Sequence, residues 1–219
     1  RMARVTGGTP RQAMLEAHAI AQDPAASCVV DYVSEGLDGP VLDACAAPGG
    51  KTMGLWHSSG ARPLIAADVS LERLIQVRRG AREARAEPVL LAMDARFPAV
   101  RRVPAVLLDV PCSGTGVLRR RPDARWRLTP ARIDALAELQ EEIIEAGAAL
   151  VEPGGLLAYA TCSLEPEENE QQIDAFLVRH PEFGRDKEGR AEGKDLFVAP
   201  WEHDSDGAFA SRLRKRRDG

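Results

Sequence analysis

The stretch VLDACAAPGGKT, residues 41–52, combines strand, turn and helix signals within twelve residues. It begins with apolar, strand-forming residues, passes Asp43, and turns through Pro48, Gly49 and Gly50 into a predicted helix. Pro48 ends the strand, and the two glycines let the backbone approach a ligand closely because they carry no Cβ. Free amides at the start of the following helix point at whatever binds there. The stretch therefore predicts a strand–turn–helix that holds a cofactor.

The next acidic residue at a strand end indicates a cofactor with a nucleoside part. Asp68 follows Gly50 by 18 residues, close to the spacing of the ribose-binding carboxylate in dinucleotide-type folds. The glycines match neither G-x-G-x-x-G nor a P-loop, because Lys51 and Thr52 follow Gly-Gly without the spacer and leading glycine. NAD and ATP are therefore disfavoured. A plain βα turn is the alternative for this stretch taken alone.

Apolar strands alternate with helices on both sides of this stretch. Strands are predicted at 64–69, 89–93, 103–108 and 156–160, and helices at 10–21, within 22–34, and at 51–59, 71–86, 129–151 and 165–180. Such alternation predicts an α/β fold with a parallel sheet whose ligand lies at the carboxyl ends of the strands. Weak alternation at 197–200 and 208–213 predicts an antiparallel edge hairpin.

Four acidic residues fall at predicted strand ends: Asp43, Asp68, Asp94 and Asp109. We expect these four side chains to form a site. Cys28 is expected in the core, as part of the apolar stripe of the helix within 22–34. The segment Pro153-Gly154-Gly155 is expected to end the helix at 129–151.

Composition limits the class of protein. The 219 residues carry a net charge of −4 and are 44% hydrophobic, which fits one substantial globular domain. The four cysteines form no C-x-x-C pair and no histidine stands at metal spacing, so neither a disulfide framework nor a metal site is expected. Without an apolar run of about 18 residues or a signal peptide, we expect a cytoplasmic protein that does not enter a membrane.

The sequence begins with Arg1 rather than Met. We therefore expect a piece of a longer protein, in which residues 1–21 are a partly helical N-terminal extension. Positive charge is clustered in two places, at Arg119, Arg120, Arg121, Arg125 and Arg127 and in RLRKRR at 212–217. Both clusters are candidate phosphate-binding sites.

Two cysteines stand in loops directly after predicted strands. Cys112 lies in DVPCSGTG (109–116) and Cys162 in TCS (161–163). Because the loops leave the same edge of a parallel sheet, both thiols can face one cavity beside the cofactor stretch. We therefore interpret them as reactive groups rather than core residues.

These motifs together resemble the RNA cytosine-5 methyltransferases of the Sun/Fmu group, the family of the bacterial ribosomal RNA small-subunit methyltransferase B type. The resemblance rests on CAAPGGKT, DVSLERL, DVPCSGTGVLRRRPDARWR and LLAYATCSLEPEENEQQI. It implies a Rossmann-like class I methyltransferase fold over residues 22–219. Family members usually carry a separate RNA-binding region before this domain.

The resemblance also implies S-adenosylmethionine as cofactor. Its methionine end would lie against residues 45–51, namely Cys45, Ala46, Ala47, Pro48, Gly49, Gly50 and Lys51. Asp68 would bind the ribose hydroxyls, with Arg73 assisting, and Asp94 the adenine amino group. Asp109 would lie between cofactor and target base.

By the same resemblance, Cys162 is the nucleophile and Cys112 assists product release. Cytosine C5 is too weak a nucleophile to take a methyl group directly, so a thiolate must first add at C6. A second group must then remove the C5 proton. Because a free thiol is only partly ionised at neutral pH, the nucleophile needs help, and Lys51 is a candidate for it.

The expected partner is RNA, with ribosomal RNA as first choice and transfer RNA as second. The target base must leave its stack to react, while the cluster from Arg119 to Arg127 would bind phosphates and Trp126 could stack on a base. A methyltransferase for DNA or protein is disfavoured by the TCS loop. An RNA assembly factor with vestigial catalysis is disfavoured by intact Cys112, Cys162 and Asp109.

Overall fold

The computed structural model describes residues 21–59, 63–188 and 191–217. Its helices are α1 (Pro24–Ser34), α2 (Gly50–Ser58), α3 (Leu71–Glu83), α4 (Pro130–Leu150), α5 (Glu170–Arg179) and α6 (Pro200–His203). Its strands are β1 (Val41–Asp43), β2 (Leu64–Asp68), β3 (Val89–Ala92), β4 (Val103–Asp109), β5 (Val151–Thr161), β6 (Phe183–Arg185), β7 (Leu196–Val198) and β8 (Ala208–Lys215). Short 3-10 helices span Thr115–Val117, Pro122–Arg127 and Pro166–Glu168.

The described strands form one mixed sheet in the order β3-β2-β1-β4-β5-β8-β6. Strands β1 to β5 pair in parallel, whereas β8 is antiparallel to β5 and to both β6 and β7. The predicted α/β, Rossmann-like architecture and the β7–β8 hairpin are confirmed. Strand order reverses beside β1, where open α/β sheets bind their ligands.

Alternate residues of each central strand enter two different cores. Leu107 in β4 packs with α1 and with Leu55 of α2, whereas Leu108 packs on the opposite face with α4 and α5. Helix α3 covers β2 through Leu74 and Val77, which are buried against Met53 of α2. Both faces of the sheet are covered, as expected for near-continuous apolar parallel strands.

The structure corrects the expectation for Cys28. Helix α1 buries Val29, Val30 and Val33, but Cys28 is exposed. The helical period explains the difference, because the buried stripe runs over Val29 and Val33 to Val30, whereas Cys28 lies about 200° from Val30 around the axis.

The segment Pro153-Gly154-Gly155 was wrongly predicted to lie outside the strand. Helix α4 ends at Leu150 and β5 begins at once, so the segment belongs to β5. The β4–β5 register shifts there, between Val103 and Ala105. Proline and glycine are tolerated at such an irregularity because the ladder bonds are already broken.

Other predicted bounds change less. The helix expected at 165–180 is divided at Asn169 into a 3-10 turn and α5, and β6 is a strand that the sequence did not indicate. The helix predicted at 10–21 lies outside the described residues except for Ala21. None of the described helices combines the length and the apolar character needed to cross a membrane.

The first two arginines of the basic cluster at 212–217 stabilise the fold and do not form the phosphate-binding site that was expected there. Arg212 is 2% exposed, and its Nη2 donates to Asp186 Oδ2 at 2.7 Å while Nη1 donates to the carbonyl oxygen of Glu35 at 2.7 Å. Arg214 donates to the same Asp186 oxygen at 3.0 Å. Burial raises the pKa of Asp186, but the bonds and charges of the two arginines outweigh it and leave the pKa lowered.

We predict that Arg212→Met lowers the free energy of unfolding by about 3–5 kcal/mol, because it leaves the Asp186 carboxylate buried with only Arg214 as ion partner. Urea unfolding at neutral pH measures this change. The matched control is Arg216→Met at an exposed side chain, with an expected effect within about 0.5 kcal/mol. Equal effects of the two substitutions would contradict the assignment.

Candidate active site

The loops after β1, β2, β4 and β5 meet at the carboxyl edge of the parallel sheet. We call residues 44–49 the glycine loop, 110–116 the first cysteine loop and 162–165 the second cysteine loop. All three leave neighbouring strands at this edge. The edge thus brings the predicted cofactor stretch and both cysteines together.

The glycine loop is fastened to its neighbours through the backbone. The Ala46 amide donates to the Ala67 oxygen at 2.8 Å and the Ala47 amide to Asp68 Oδ2 at 3.2 Å. Arg73 Nη2 donates to the Ala47 oxygen at 2.6 Å. The Ala47-Pro48 peptide is cis, and Gly49 has φ 110°, a left-handed conformation that favours glycine.

Helix α2 begins directly after this loop. Gly49 stands at its N-cap and supplies no side-chain hydrogen bond. The first amides of the helix are therefore free to bind an anionic or polar group of a ligand. A carboxylate is well suited to this position.

The four strand-end acids differ in environment. Asp43 is fully buried and accepts from Thr52 Oγ1 at 2.6 Å, and burial raises its pKa to about 7. Asp68 is 3% exposed and accepts from the Ser70 amide at 2.9 Å. Asp43 thus faces the start of α2 from within, and a joint site of all four acids stays a prediction.

Asp94 lies just beyond β3 and is partly exposed. Arg96 Nη2 donates to its Oδ2 at 2.7 Å, and Arg96 also reaches Glu142 of α4 at 3.3 Å. The hydrogen bonds from Arg96 lower the pKa of Asp94. The carboxylate stays ionised at this position.

Lys51 and Asp109 form an ion pair at the centre of the edge. Lys51 Nζ lies 2.9 Å from Asp109 Oδ2. Burial lowers the pKa of Lys51, but the Asp109 charge and hydrogen bond outweigh it, so the pKa is raised. The ammonium group therefore keeps its proton beside the cysteines.

The two loop cysteines lie in contact. Cys112 Sγ and Cys162 Sγ are 3.2 Å apart. The hydrogen bond from the Cys112 thiol, with the nearby Lys51 charge, lowers the pKa of Cys162 against the opposing effects of burial and Asp109. The same hydrogen bond, together with burial, raises the pKa of Cys112. The two pKa shifts have opposite directions, so Cys162 loses its proton more readily than Cys112.

Cys45, also in the glycine loop, differs from this pair. Burial raises the pKa of its thiol, and the charges of Asp43 and Asp109 raise it further. It is a neutral, unreactive thiol.

The cysteine loops are tied together by main-chain bonds. The Gly116 amide donates to the Cys162 oxygen at 3.0 Å, and the Gly207 amide to the Gly116 oxygen at 2.8 Å. A Cβ on Gly116 would lie 2.7 Å from both the Cys162 and the Gly207 oxygens, so this position requires glycine. Gly116 is a functional-site residue that sequence reasoning missed.

Glu168 and the two serines Ser113 and Ser163 were also missed. Glu168 is fully buried beneath the cysteine loops and contacts both serines. The repeated Cys-Ser in the two loops and the acidic run around Glu168 were the available signals. They did not show that the chain buries one of these acids.

The predicted RNA-binding arginines have two different environments. Arg119 donates to Asp204 at 2.9 Å, and Arg120 pairs with Asp23 and, at 2.8 Å, with Asp206. These two connect the first cysteine loop to the chain on either side. Both guanidinium groups are already paired with carboxylates of the chain.

Arg121, Arg125 and Arg127 are exposed on the turns that follow. Arg127 pairs with Asp123 at 2.6 Å, and Arg125 lies over the Trp126 ring at 4.8 Å. Trp126 is 78% exposed. This segment presents a cation and an aromatic face to solvent.

Among the described residues, no three His, Cys, Asp or Glu side chains are grouped so that they could hold a metal ion. The four cysteines are free.

Comparison with solved structures places the fold among methyltransferases. PH0851 is 34% identical, with a TM-score of 0.79 over 90% of this chain and 47% of that chain. NSun6 from Pyrococcus horikoshii, crystallised with SFG, is 30% identical, with a TM-score of 0.77 over 90% of this chain and 53% of that chain.

Comparison of sequences identifies the family. The ribosomal RNA small subunit methyltransferase B of Yersinia pseudotuberculosis serotype O:1b (strain IP 31758) is 39% identical over 199 residues, which are 89% of this chain and 46% of the relative. The chain thus spans about half the length of the curated relatives that it matches. The family model described as 16S rRNA methyltransferase RsmB/F matches residues 34–214. The chain therefore belongs to the 16S rRNA methyltransferase RsmB/F family.

Proposed function

We propose that residues 22–219 form the catalytic domain of an S-adenosylmethionine-dependent RNA (cytosine-5) methyltransferase. The observation that carries the proposal is the Cys112–Cys162 contact of 3.2 Å beside the Lys51–Asp109 pair, at the edge that holds the glycine loop. Two thiols with opposite pKa shifts suit a reaction that needs a nucleophile first and a proton acceptor later.

Ribosomal RNA of the small subunit is the proposed substrate, because the family description and the Yersinia relative both name it. Transfer RNA is the second choice. A ribosomal RNA substrate in a bacterium places the reaction in the cytoplasm. The chain spans about half the length of the Yersinia relative. Its choice of ribosomal RNA is therefore proposed for this chain and is not transferred from that protein.

The residues of the glycine loop fit S-adenosylmethionine. The uncapped start of α2 suits its carboxylate. Asp68 accepts one amide on each oxygen and keeps a lone pair on each for the ribose hydroxyls. Ionised Asp94 suits the adenine amino group. The similar NSun6 structure contains SFG, an analogue of this cofactor.

When bound, S-adenosylmethionine supplies an electrophilic methyl group. Cys162 acts before the transfer: its thiolate adds to cytosine C6, and electron density moves to C5. Lys51 stabilises the thiolate, and Asp109 is placed to hold the N3 and N4 edge of the base while the adduct forms. The pair between Lys51 and Asp109 fixes both groups in position.

Cys112 acts after the transfer. The C5 proton must leave, the C5–C6 double bond re-forms, and the bond between Cys162 sulfur and C6 breaks to return the thiolate. In the adduct the Cys162 sulfur carries no charge, so the part of the raised Cys112 pKa that came from that charge is gone. Cys112 then gives up its own proton to solvent more readily, and its thiolate accepts the C5 proton directly or through water.

The cytosine must leave its stack to reach these groups. Arg121, Arg125 and Arg127 are the proposed phosphate contacts. Arg119 and Arg120 are held by carboxylates from distant parts of the chain, whereas Arg127 pairs with the exposed Asp123 four residues away. Trp126 offers an exposed face for base stacking.

We predict that Cys112→Ala protein, given S-adenosylmethionine and unmodified small-subunit ribosomal RNA, accumulates a protein–RNA adduct that survives denaturation. The methyl group transfers, but release stalls because the base for the C5 proton is missing. Denaturing gel electrophoresis with labelled RNA detects the adduct.

Cys162→Ala and the double variant are the controls, and neither should form adduct. Methylated RNA without adduct in Cys112→Ala would contradict the release role. RNA binding without either product, in wild type as well, would favour an assembly role.

We also predict that Lys51→Gln slows alkylation of Cys162 by iodoacetamide at pH 7. Loss of the ammonium charge disfavours the thiolate, so the Cys162 pKa rises and the pH profile of alkylation moves to higher pH. Peptide mapping of Cys162 in the free protein measures this shift. Lys194→Gln, at an exposed and distant position, should leave the profile unchanged; an unmoved profile in Lys51→Gln would overturn the role of Lys51.

A further inference from the structure

Both loop cysteines are followed by serine, and both serines contact the same buried carboxylate. Glu168 is 0% exposed and lies at the end of the 3-10 turn Pro166–Glu168. It accepts a hydrogen bond from the Ser113 amide at 2.8 Å and another from the Ser113 hydroxyl. The Ser163 hydroxyl donates to it at 2.5 Å. One carboxylate thus binds the residues next to Cys112 and Cys162.

The carboxylate is itself held from the opposite side. Gln140 Nε2, on α4, donates to Glu168 Oε1 at 2.9 Å and to the Pro111 oxygen at 2.9 Å. The Tyr159 hydroxyl, on β5, donates to the Glu168 backbone oxygen at 2.7 Å. Glu168 is therefore fixed to a helix and a strand, and the two cysteine loops are fixed to Glu168.

A buried carboxylate is costly unless donors surround it. Here four donors converge on its two oxygens, and three of them belong to the cysteine loops. The serine hydroxyls also lie 3.1 Å from each other. A carboxylate that served only the fold would have no reason to collect its donors from the residues adjoining both thiols.

We infer that Glu168 is a positioning residue, which holds the Cys112 and Cys162 thiols in contact by joining the two cysteine loops through Ser113 and Ser163. The inference rests on the proposed function for its catalytic meaning, but the positioning itself needs neither RNA nor cofactor. The Glu168 charge also contributes to the raised pKa of Cys112, which fits a thiol that stays protonated until the adduct has formed.

Three variants separate the possible roles. Glu168→Ala removes the connection between the loops. Glu168→Gln keeps it, because the amide oxygen can face the Ser113 amide and Gln140 while the amide nitrogen donates to the serine hydroxyls, which accept as well as donate. Glu167→Gln, at the exposed neighbour, is the matched control.

The first measurement is capture of the thiol pair by phenylarsine oxide in a Cys28→Ala background. The reagent forms two As–S bonds with a close dithiol and releases water, so tight binding reports that both sulfurs are within reach of one arsenic atom. We expect Glu167→Gln and Glu168→Gln to bind as tightly as the parent. Glu168→Ala should bind about tenfold more weakly, equivalent to about 1.4 kcal/mol.

The second measurement is steady-state methylation of small-subunit ribosomal RNA. Glu168→Ala should lower kcat about 100-fold, the scale expected for a displacement of about 1 Å in a reacting group, with KM for S-adenosylmethionine unchanged. A general loss of folding would instead lower the thermal midpoint and raise KM. Glu168→Gln should recover most of kcat.

If Glu168→Ala does not fold, the double variant Ser113→Ala/Ser163→Ala decides the question, since it leaves Glu168 bonded to the Ser113 amide and to Gln140. Weaker arsenical capture in this variant supports the inference. Unchanged capture in Glu168→Ala, or in the serine double variant when the former is unfolded, overturns it. A third outcome is that the variants differ in arsenical capture as expected, but the wild type does not methylate RNA. This outcome would refute the proposed function and leave the positioning role intact.

Discussion

The pairing of β4 with β5 is the constraint on which the candidate site depends. Asp109 pairs with Ala160 at the end of the shared ladder, and the Val110 amide continues it to the Ala160 oxygen at 3.0 Å. Neighbouring strands lie about 4.8 Å apart, so two loops that begin here start side by side. Residues 50 positions apart in sequence thereby bring their thiols to 3.2 Å.

Several charged groups near these strands are buried, and each of them has a charged or hydrogen-bonding partner. Lys51 faces Asp109, Glu168 collects four donors, and Arg212 faces Asp186 beneath β8. Each of these groups would be costly to bury alone, and each is bound by partners from other elements. These ion pairs and hydrogen bonds connect different elements of the fold and offset the cost of burying the charges.

The arginines that follow the first cysteine loop fall into two groups, one paired with carboxylates and one facing solvent. Arg120, just after the first cysteine loop, pairs with Asp23, before α1, and with Asp206, before β8, and so connects these three segments. Arg125 and Trp126, a few residues later, face solvent. One basic segment thus supplies both internal ion pairs and an exposed cation with an aromatic ring.

Local rules specify several elements of this fold. Pro48, Gly49 and Gly50 set the turn at the glycine loop, Ser70 and Thr129 accept hydrogen bonds from amides of the first turns of their helices, and the alternation of strand and helix leads to a parallel sheet with its site at the carboxyl edge. These features depend on backbone preferences and hydrophobic period, which are readable from neighbouring residues.

Which groups meet depends on long-range packing. It exposed Cys28, placed Pro153 within β5, buried Arg212, and brought Glu168 under the two cysteine loops. Each outcome depends on contacts between residues far apart in the chain, and the cost of burying a charge depends on partners that local sequence does not specify. The pattern therefore located the two loop cysteines, whereas the packing of α4, β4 and β5 set the distance between them.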